Sequence, residues 1–104
     1  MGTPKLTKFE FVWLLLGGPT PLQKEHRFDP DRKWRVDYFC NGVAIEIEGG
    51  IWSGGRHNRG AGFLKDMEKY NALAAKGILL FRVPAHQINT KWLQPIIETI
   101  KERT

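Results

Sequence analysis

At 104 residues the chain has room for one domain and one modest core, and 41% hydrophobic with 26% charged residues is ordinary for a globular protein. A formal net charge of +5 suits a polyanionic partner such as nucleic acid. The single cysteine, Cys40, excludes an internal disulfide, no Cys/His cluster has zinc spacing, and the apolar run Phe11 to Leu16 is too short to span a bilayer, so a soluble cytoplasmic protein with no membrane partner is expected.

Taken in order, Lys5 to Leu16 reads as a helix, because Phe9, Val12, Trp13 and Leu16 fall on one stripe. Gly17-Gly18-Pro19 ends it. Lys24 to Phe28 is a candidate strand, and Asp29-Pro30-Asp31 a turn. Trp34 to Cys40 and Val43 to Gly50 are strands joined by Asn41-Gly42, a pair that tolerates the positive φ angles of a type I′ turn. Such a short loop sets the register: Cys40 pairs with Val43, Phe39 with Ala44, Tyr38 with Ile45, Asp37 with Glu46 and Arg35 with Glu48. Alternation puts Val36, Tyr38, Ile45 and Ile47 on a core face, and Arg35, Asp37, Glu46 and Glu48 on the other. Trp34, Tyr38 and Phe39 read as packing, and Cys40 as filler.

Gly49 to Gly62 is a loop with six glycines that also holds Arg56, His57, Asn58 and Arg59. It reads as a basic segment that closes on phosphates, since glycine lets a backbone approach a ligand and arginine suits phosphate. Phe63 to Lys76 is a second helix, with Phe63, Met67, Tyr70 and Ala74 inward and Lys65, Asp66, Lys69 and Lys76 outward. Gly77 stops it, and Ile78 to Val83 is an interior strand bounded by Pro84. Thr90 opens a last helix, whose apolar face is Trp92, Leu93, Ile96, Ile97 and Ile100, with Pro95 in its first turn or at its start. The order α-β-β-β-α-β-α over residues 1–104 makes a single α/β domain, a central mixed sheet flanked by helices.

The site follows from the hairpin. Like charges directly opposite destabilise a sheet, so Asp37 facing Glu46 makes sense if a cation lies between them. Mg²⁺ is held by one or two carboxylates, water and substrate phosphate, and Mn²⁺ should substitute. On the repulsion argument, neutralising either acid should leave the metal-free fold intact or slightly stabler. Two roles compete for Glu48: ligand, or salt-bridge partner of Arg35.

An Asp on one strand and a Glu on the next, near a lysine and a phosphate-binding surface, resembles the PD-(D/E)XK nuclease superfamily. The resemblance is to small phage and bacterial members related to Holliday junction resolvases and very-short-patch repair endonucleases. It rests on Arg27-Phe28, Trp34-Arg35-Val36-Asp37, Ile45-Glu46-Ile47-Glu48-Gly49-Gly50, Gly55-Arg56-His57, Gly62-Phe63, Asp66-x-x-Lys69-Tyr70-Asn71 and Phe81-Arg82-Val83. It implies a restriction-endonuclease-like core, with Asp37 and Glu46 as metal ligands and Glu48 standing where the usual lysine belongs. A lysine of the following helix then takes the cationic role, Lys69 ahead of Lys65, with Asp66 holding it at i, i+3. Glu10 is a possible further ligand, Glu25 a weaker one. Arg35, Arg56, His57, Asn58, Arg59 and Lys65 are the expected nucleic-acid contacts.

The expected function is a Mg²⁺-dependent endonuclease that hydrolyses DNA phosphodiesters, with branched or junction DNA as substrate by family analogy. Two alternatives are a non-catalytic basic nucleic-acid-binding module and a regulatory metal- or partner-binding domain. A homodimer is also expected, because a two-fold pair presents identical sites to two strands and Trp13 and Trp92 are available to cover the sheet or a second copy.

Overall fold

Capping decides where the first helix starts. The computed structural model describes residues 5–49 and 61–103, and in it α1 spans Lys8–Leu15. Thr7 is extended, its hydroxyl accepts from the Glu10 N–H (3.1 Å), and the Glu10 carboxylate accepts from the Thr7 N–H (3.3 Å). This reciprocal cap leaves Lys5 and Leu6 outside the helix. At the other end Gly17, at φ +75°, donates to the Leu14 carbonyl (3.0 Å), and Gly18 donates to the Trp13 carbonyl (2.8 Å). A Cβ on Gly18 would run into the Trp13 indole. Phe9 and Trp13 are fully buried, with Val12 and Leu16 packed beside them, so the expected stripe is the inward one.

The strands are β1 (Gln23–Arg27), β2 (Arg35–Cys40), β3 (Val43–Glu48) and β4 (Leu79–Pro84), in sheet order β1-β2-β3-β4. The pairs β1·β2 and β2·β3 are antiparallel and β3·β4 is parallel, the chain crossing over through α2 (Ala61–Ala75). A last helix, α3 (Thr90–Glu102), completes the expected α-β-β-β-α-β-α domain. Asn41 and Gly42 both have positive φ, +49° and +79°, as a type I′ turn requires. The register matches at Cys40↔Val43, Phe39↔Ala44 and Tyr38↔Ile45. No helix among the described residues is long and apolar enough to cross a membrane.

Each sheet face has its own core. One joins α1 and α3 to Tyr38, Val43, Ile45 and Val83; the other joins Leu73 of α2 to Phe28, Val36 and Ala44. Three details depart from the sequence reading. Val36 does not share a face with Tyr38, because alternation slips at Asp37. Opposite it in the β1 ladder stands Glu25, at φ +50°, and there too the side chains on either side go to different faces: Lys24 to Glu10, His26 onto the Phe39 ring. The buried line of α2 is also rotated. Leu73 and Tyr70 face the sheet, while Met67 is 40% exposed and Ala74 lies outward. Leu73 offers more apolar area than Ala74, so the helix turns to bury it. Finally, Asn89 caps α3 and Pro95 lies inside the helix, beyond its first turn. Pro95 is on the exposed side, where water can hydrate the carbonyl it leaves without a donor.

Candidate active site

Beyond Tyr38↔Ile45 the two hairpin strands stop exchanging ladder bonds, and the candidate residues stand where they part. Asp37 spends one carboxylate oxygen there: Oδ2 accepts from the backbone N–H of Ile47 at 2.8 Å. A side chain thus satisfies a donor that the neighbouring strand would otherwise take. Asp37 also lines a cavity of about 350 Å³ shared with Thr7, Lys8, Lys24, Glu25 and Ile47.

Glu46 turns to the α2 side and meets Lys69, whose Nζ lies 2.7 Å from Oε2. Both side chains are largely buried, 17% exposed for Lys69 and 12% for Glu46. The rotation of α2 explains the contact, because Lys69 is four residues before Leu73 and shares its sheet-facing side. Lys69 therefore lies inward, against the expectation that it faces outward with Lys65, which is exposed. The expected Asp66 brace is absent among the described residues; the lysine's ion pair runs to Glu46. Tyr70, the next residue, brings its hydroxyl 3.5 Å from Glu46 Oε1. Burial pushes the Tyr70 phenol up to about 12, so it stays a protonated donor.

Glu48 does not pair with Arg35. Its Oε2 accepts from Arg82 Nε at 3.0 Å, and the Arg82 guanidinium stacks over the Tyr70 ring at 5.1 Å. The hydrogen bond to Glu48 raises the Arg82 pKa above its usual value, ahead of an opposing effect of burial. The parallel register accounts for this, since Glu46 pairs with Arg82 and Glu48 with Pro84 in the β3·β4 ladder. Arg35 instead faces Arg27 in β1 and approaches Glu25 at 3.8 Å. From sequence Tyr70 reads only as part of the inward stripe of α2, and Arg82 has no chemical role. A lone arginine inside the apolar run Leu79 to Val83 was the signal, because a charge in an interior strand needs a partner.

Glu10 lies among other partners. It is 8% exposed and accepts from the Tyr38 hydroxyl (2.7 Å), from Lys24 Nζ (3.1 Å) and from the Thr7 N–H. Burial pulls its pKa upward, but the bonds from Tyr38, Lys24 and Thr7 outweigh burial and hold it below the usual range. Tyr38 is raised to about 12, chiefly by burial.

Arg56, His57, Asn58 and Arg59 lie outside the described residues. Among the described residues no three His, Cys, Asp or Glu side chains gather closely enough to hold a metal by themselves. Of the carboxylates expected from sequence, Asp37 is held by the Ile47 N–H, Glu46 by Lys69 and Glu48 by Arg82. Two carboxylates can hold Mg²⁺ when water and a substrate phosphate complete the shell, but the expected cross-strand pairing of Asp37 with Glu46 does not form, because the ladder ends at Tyr38↔Ile45, Asp37 lines the cavity beside α1 and Glu46 turns to α2. Comparison of the chain with protein-family models, curated proteins and solved structures finds no match.

Proposed function

We propose that the chain is a divalent-metal-dependent endonuclease acting on DNA phosphodiesters, with Mg²⁺ or Mn²⁺ as metal and branched DNA as preferred substrate. The observation that carries the reading is Lys69 at 2.7 Å from Glu46. Position 48 lacks the lysine that such a site needs, and a lysine arrives beside the acidic strand from the next helix instead.

Asp37 and Glu46 would hold the metal. When bound, it would make a coordinated water more acidic and neutralise charge on the phosphoryl oxygens. The chain's own residues supply the rest. The Ile47 N–H fixes the Asp37 carboxylate before substrate arrives. Lys69 would stabilise negative charge building on the phosphoryl oxygens, and its ion pair with Glu46 supports this by holding the ammonium beside the acidic strand. Tyr70 keeps its proton and serves as a neutral donor beside Glu46. Arg35, Lys65 and the Arg56–Arg59 stretch are the phosphate contacts of this reading. A second copy of the chain and a cytoplasmic setting in a bacterial or phage-infected cell belong to the same proposal.

The test is incubation of the purified protein with labelled linear, flapped and four-way-junction DNA in Mg²⁺, Mn²⁺ or EDTA. Cleavage should need metal, favour branched DNA, and vanish in Asp37→Asn and Glu46→Gln. Near-normal cleavage by either variant overturns the site. Salt-sensitive binding of every DNA with cleavage of none leaves the binding-module alternative.

A further inference from the structure

Just past the carboxyl ends of the parallel strands β3 and β4 lies a hollow of about 230 Å³, lined by Glu48, Arg82, Pro84 and Trp92. Crevices in this position are where α/β sheets take ligands. Trp92 stands in the first turn of α3, packs against the core beneath, and donates its indole N–H to Gln87 Oε1 at 3.0 Å. The ring is thus held in place before anything docks on it. Arg82 is fixed by Glu48 and by the Tyr70 ring. The hollow combines an apolar surface of tryptophan and proline with a rim that carries both a guanidinium and a carboxylate.

We infer that this hollow receives one unpaired nucleobase of the DNA strand held at the carboxylate–lysine site, an inference that rests on the proposed nucleic-acid function. Three features select this occupant. The volume is below the roughly 300–1,000 Å³ typical of pockets for larger ligands. The rim guanidinium is already neutralised by Glu48, which disfavours a bare phosphate and leaves donors and acceptors side by side, as a base edge requires. The indole gives a flat heteroaromatic ring a stacking partner. The position fits as well. Glu48 follows Glu46 by two residues on the same strand face, about 7 Å away. A strand with its phosphate at Lys69 therefore passes the hollow with an adjacent nucleotide. A paired base would have to leave its stack to enter, so the hollow selects flaps, ends and open junction centres over continuous duplex.

The test is binding in EDTA at low salt, where no metal-dependent cleavage intervenes. Two labelled duplexes of equal length are compared, one fully paired and one with a short unpaired flap. The wild type should prefer the flap by about tenfold, in the range found for base–aromatic stacking. Trp92→Ala should erase that preference and leave affinity for the paired duplex unchanged, while Trp92→Phe retains most of it. As a readout that needs no folded alanine variant, 2-aminopurine in the flap should lose fluorescence on binding the wild type and regain it with Trp92→Leu. No binding, equal binding of both duplexes by the wild type, or an equal loss on both from Trp92→Ala overturns the inference. Cleavage with Mg²⁺ is scored separately. Metal-dependent cutting without flap preference overturns the base site and keeps the nuclease; flap preference without cutting does the reverse.

Discussion

Glu10 keeps its charge where burial alone would remove it. Its pKa lies below the usual value, so the native state binds this proton more weakly than the unfolded chain. The stabilisation is fully present above the unfolded pKa of about 4.3 and is lost as pH falls through the native value. Glu10→Gln should therefore lower stability by on the order of 1–3 kcal/mol at pH 7, because Lys24 and Tyr38 lose a charged acceptor. Urea unfolding at pH 7 and at pH 3 checks it: the gap between variant and wild type should shrink in acid. The tyrosines give the opposite sign. Tyr38 and Tyr70, the two in the chain, are both raised to about 12, mainly by burial. Their contribution is present below the unfolded pKa of about 10 and fades as pH rises toward 12. Absorbance titration of the native protein should show no tyrosinate step near 10, while a denatured sample should. At this scale Thr7-x-x-Glu10 was already a readable start signal, and it would have moved the helix start from Lys5 to Lys8. That Glu10 also binds Tyr38 was not readable, because the two residues are 28 apart in the chain and meet only through packing.

At the scale of elements, the hairpin was legible and its irregularity was not. Asn41-Gly42 announces the turn and its register, but nothing in the residues of β2 marks the slip at Asp37. That slip appears in the Glu25 backbone, and through it Val36 changes face. The α2 face was misjudged by one position, since Met67 and Ala74 match a helical period as well as Tyr70 and Leu73 do. The rotation that buries Leu73 is the one that brings Lys69 to Glu46. It also reverses an expectation. Relief of carboxylate repulsion would make Glu46→Gln neutral or stabilising, yet the structure gives Glu46 a mostly buried lysine partner. Glu46→Gln should thus cost on the order of 2–3 kcal/mol, read by thermal or urea unfolding without metal. On the proposed nuclease reading, Lys69→Ala should cut the cleavage rate by about 10²-fold or more, with DNA affinity little changed, and Lys65→Ala should cut normally. Normal cleavage by Lys69→Ala would remove the lysine from the chemistry and leave it as a pin between α2 and β3.

The whole molecule carries a net charge of +5, and on the proposed function that charge should set how it meets DNA. Affinity should fall linearly with the logarithm of salt concentration, and neutralising Arg56 and Arg59 together should flatten the slope by up to about 2. An unchanged slope would take that segment out of phosphate contact. Trp13 is wholly buried in the α1–α3 core, so it covers this chain's own sheet and is not available to a second copy. The architecture itself was open to sequence reasoning, because a strand, a helix and an interior strand leave few ways to build a sheet. The order β1-β2-β3-β4 has one more consequence, for aggregation. Among the described residues both edge strands lack an outer strand partner, and β1 guards its edge with Lys24, Glu25 and Arg27. At the other end β4 runs Leu79-Leu80-Phe81-Arg82-Val83-Pro84, and its outer side has no strand partner among the described residues. Only Arg82 and Pro84 interrupt this β-prone run. Arg82→Leu should bring light scattering on at a lower temperature during heating, as β4 edges of separate molecules pair. On this expectation the arginine that holds Glu48 also acts as a gatekeeper, keeping one copy's sheet from extending into the next.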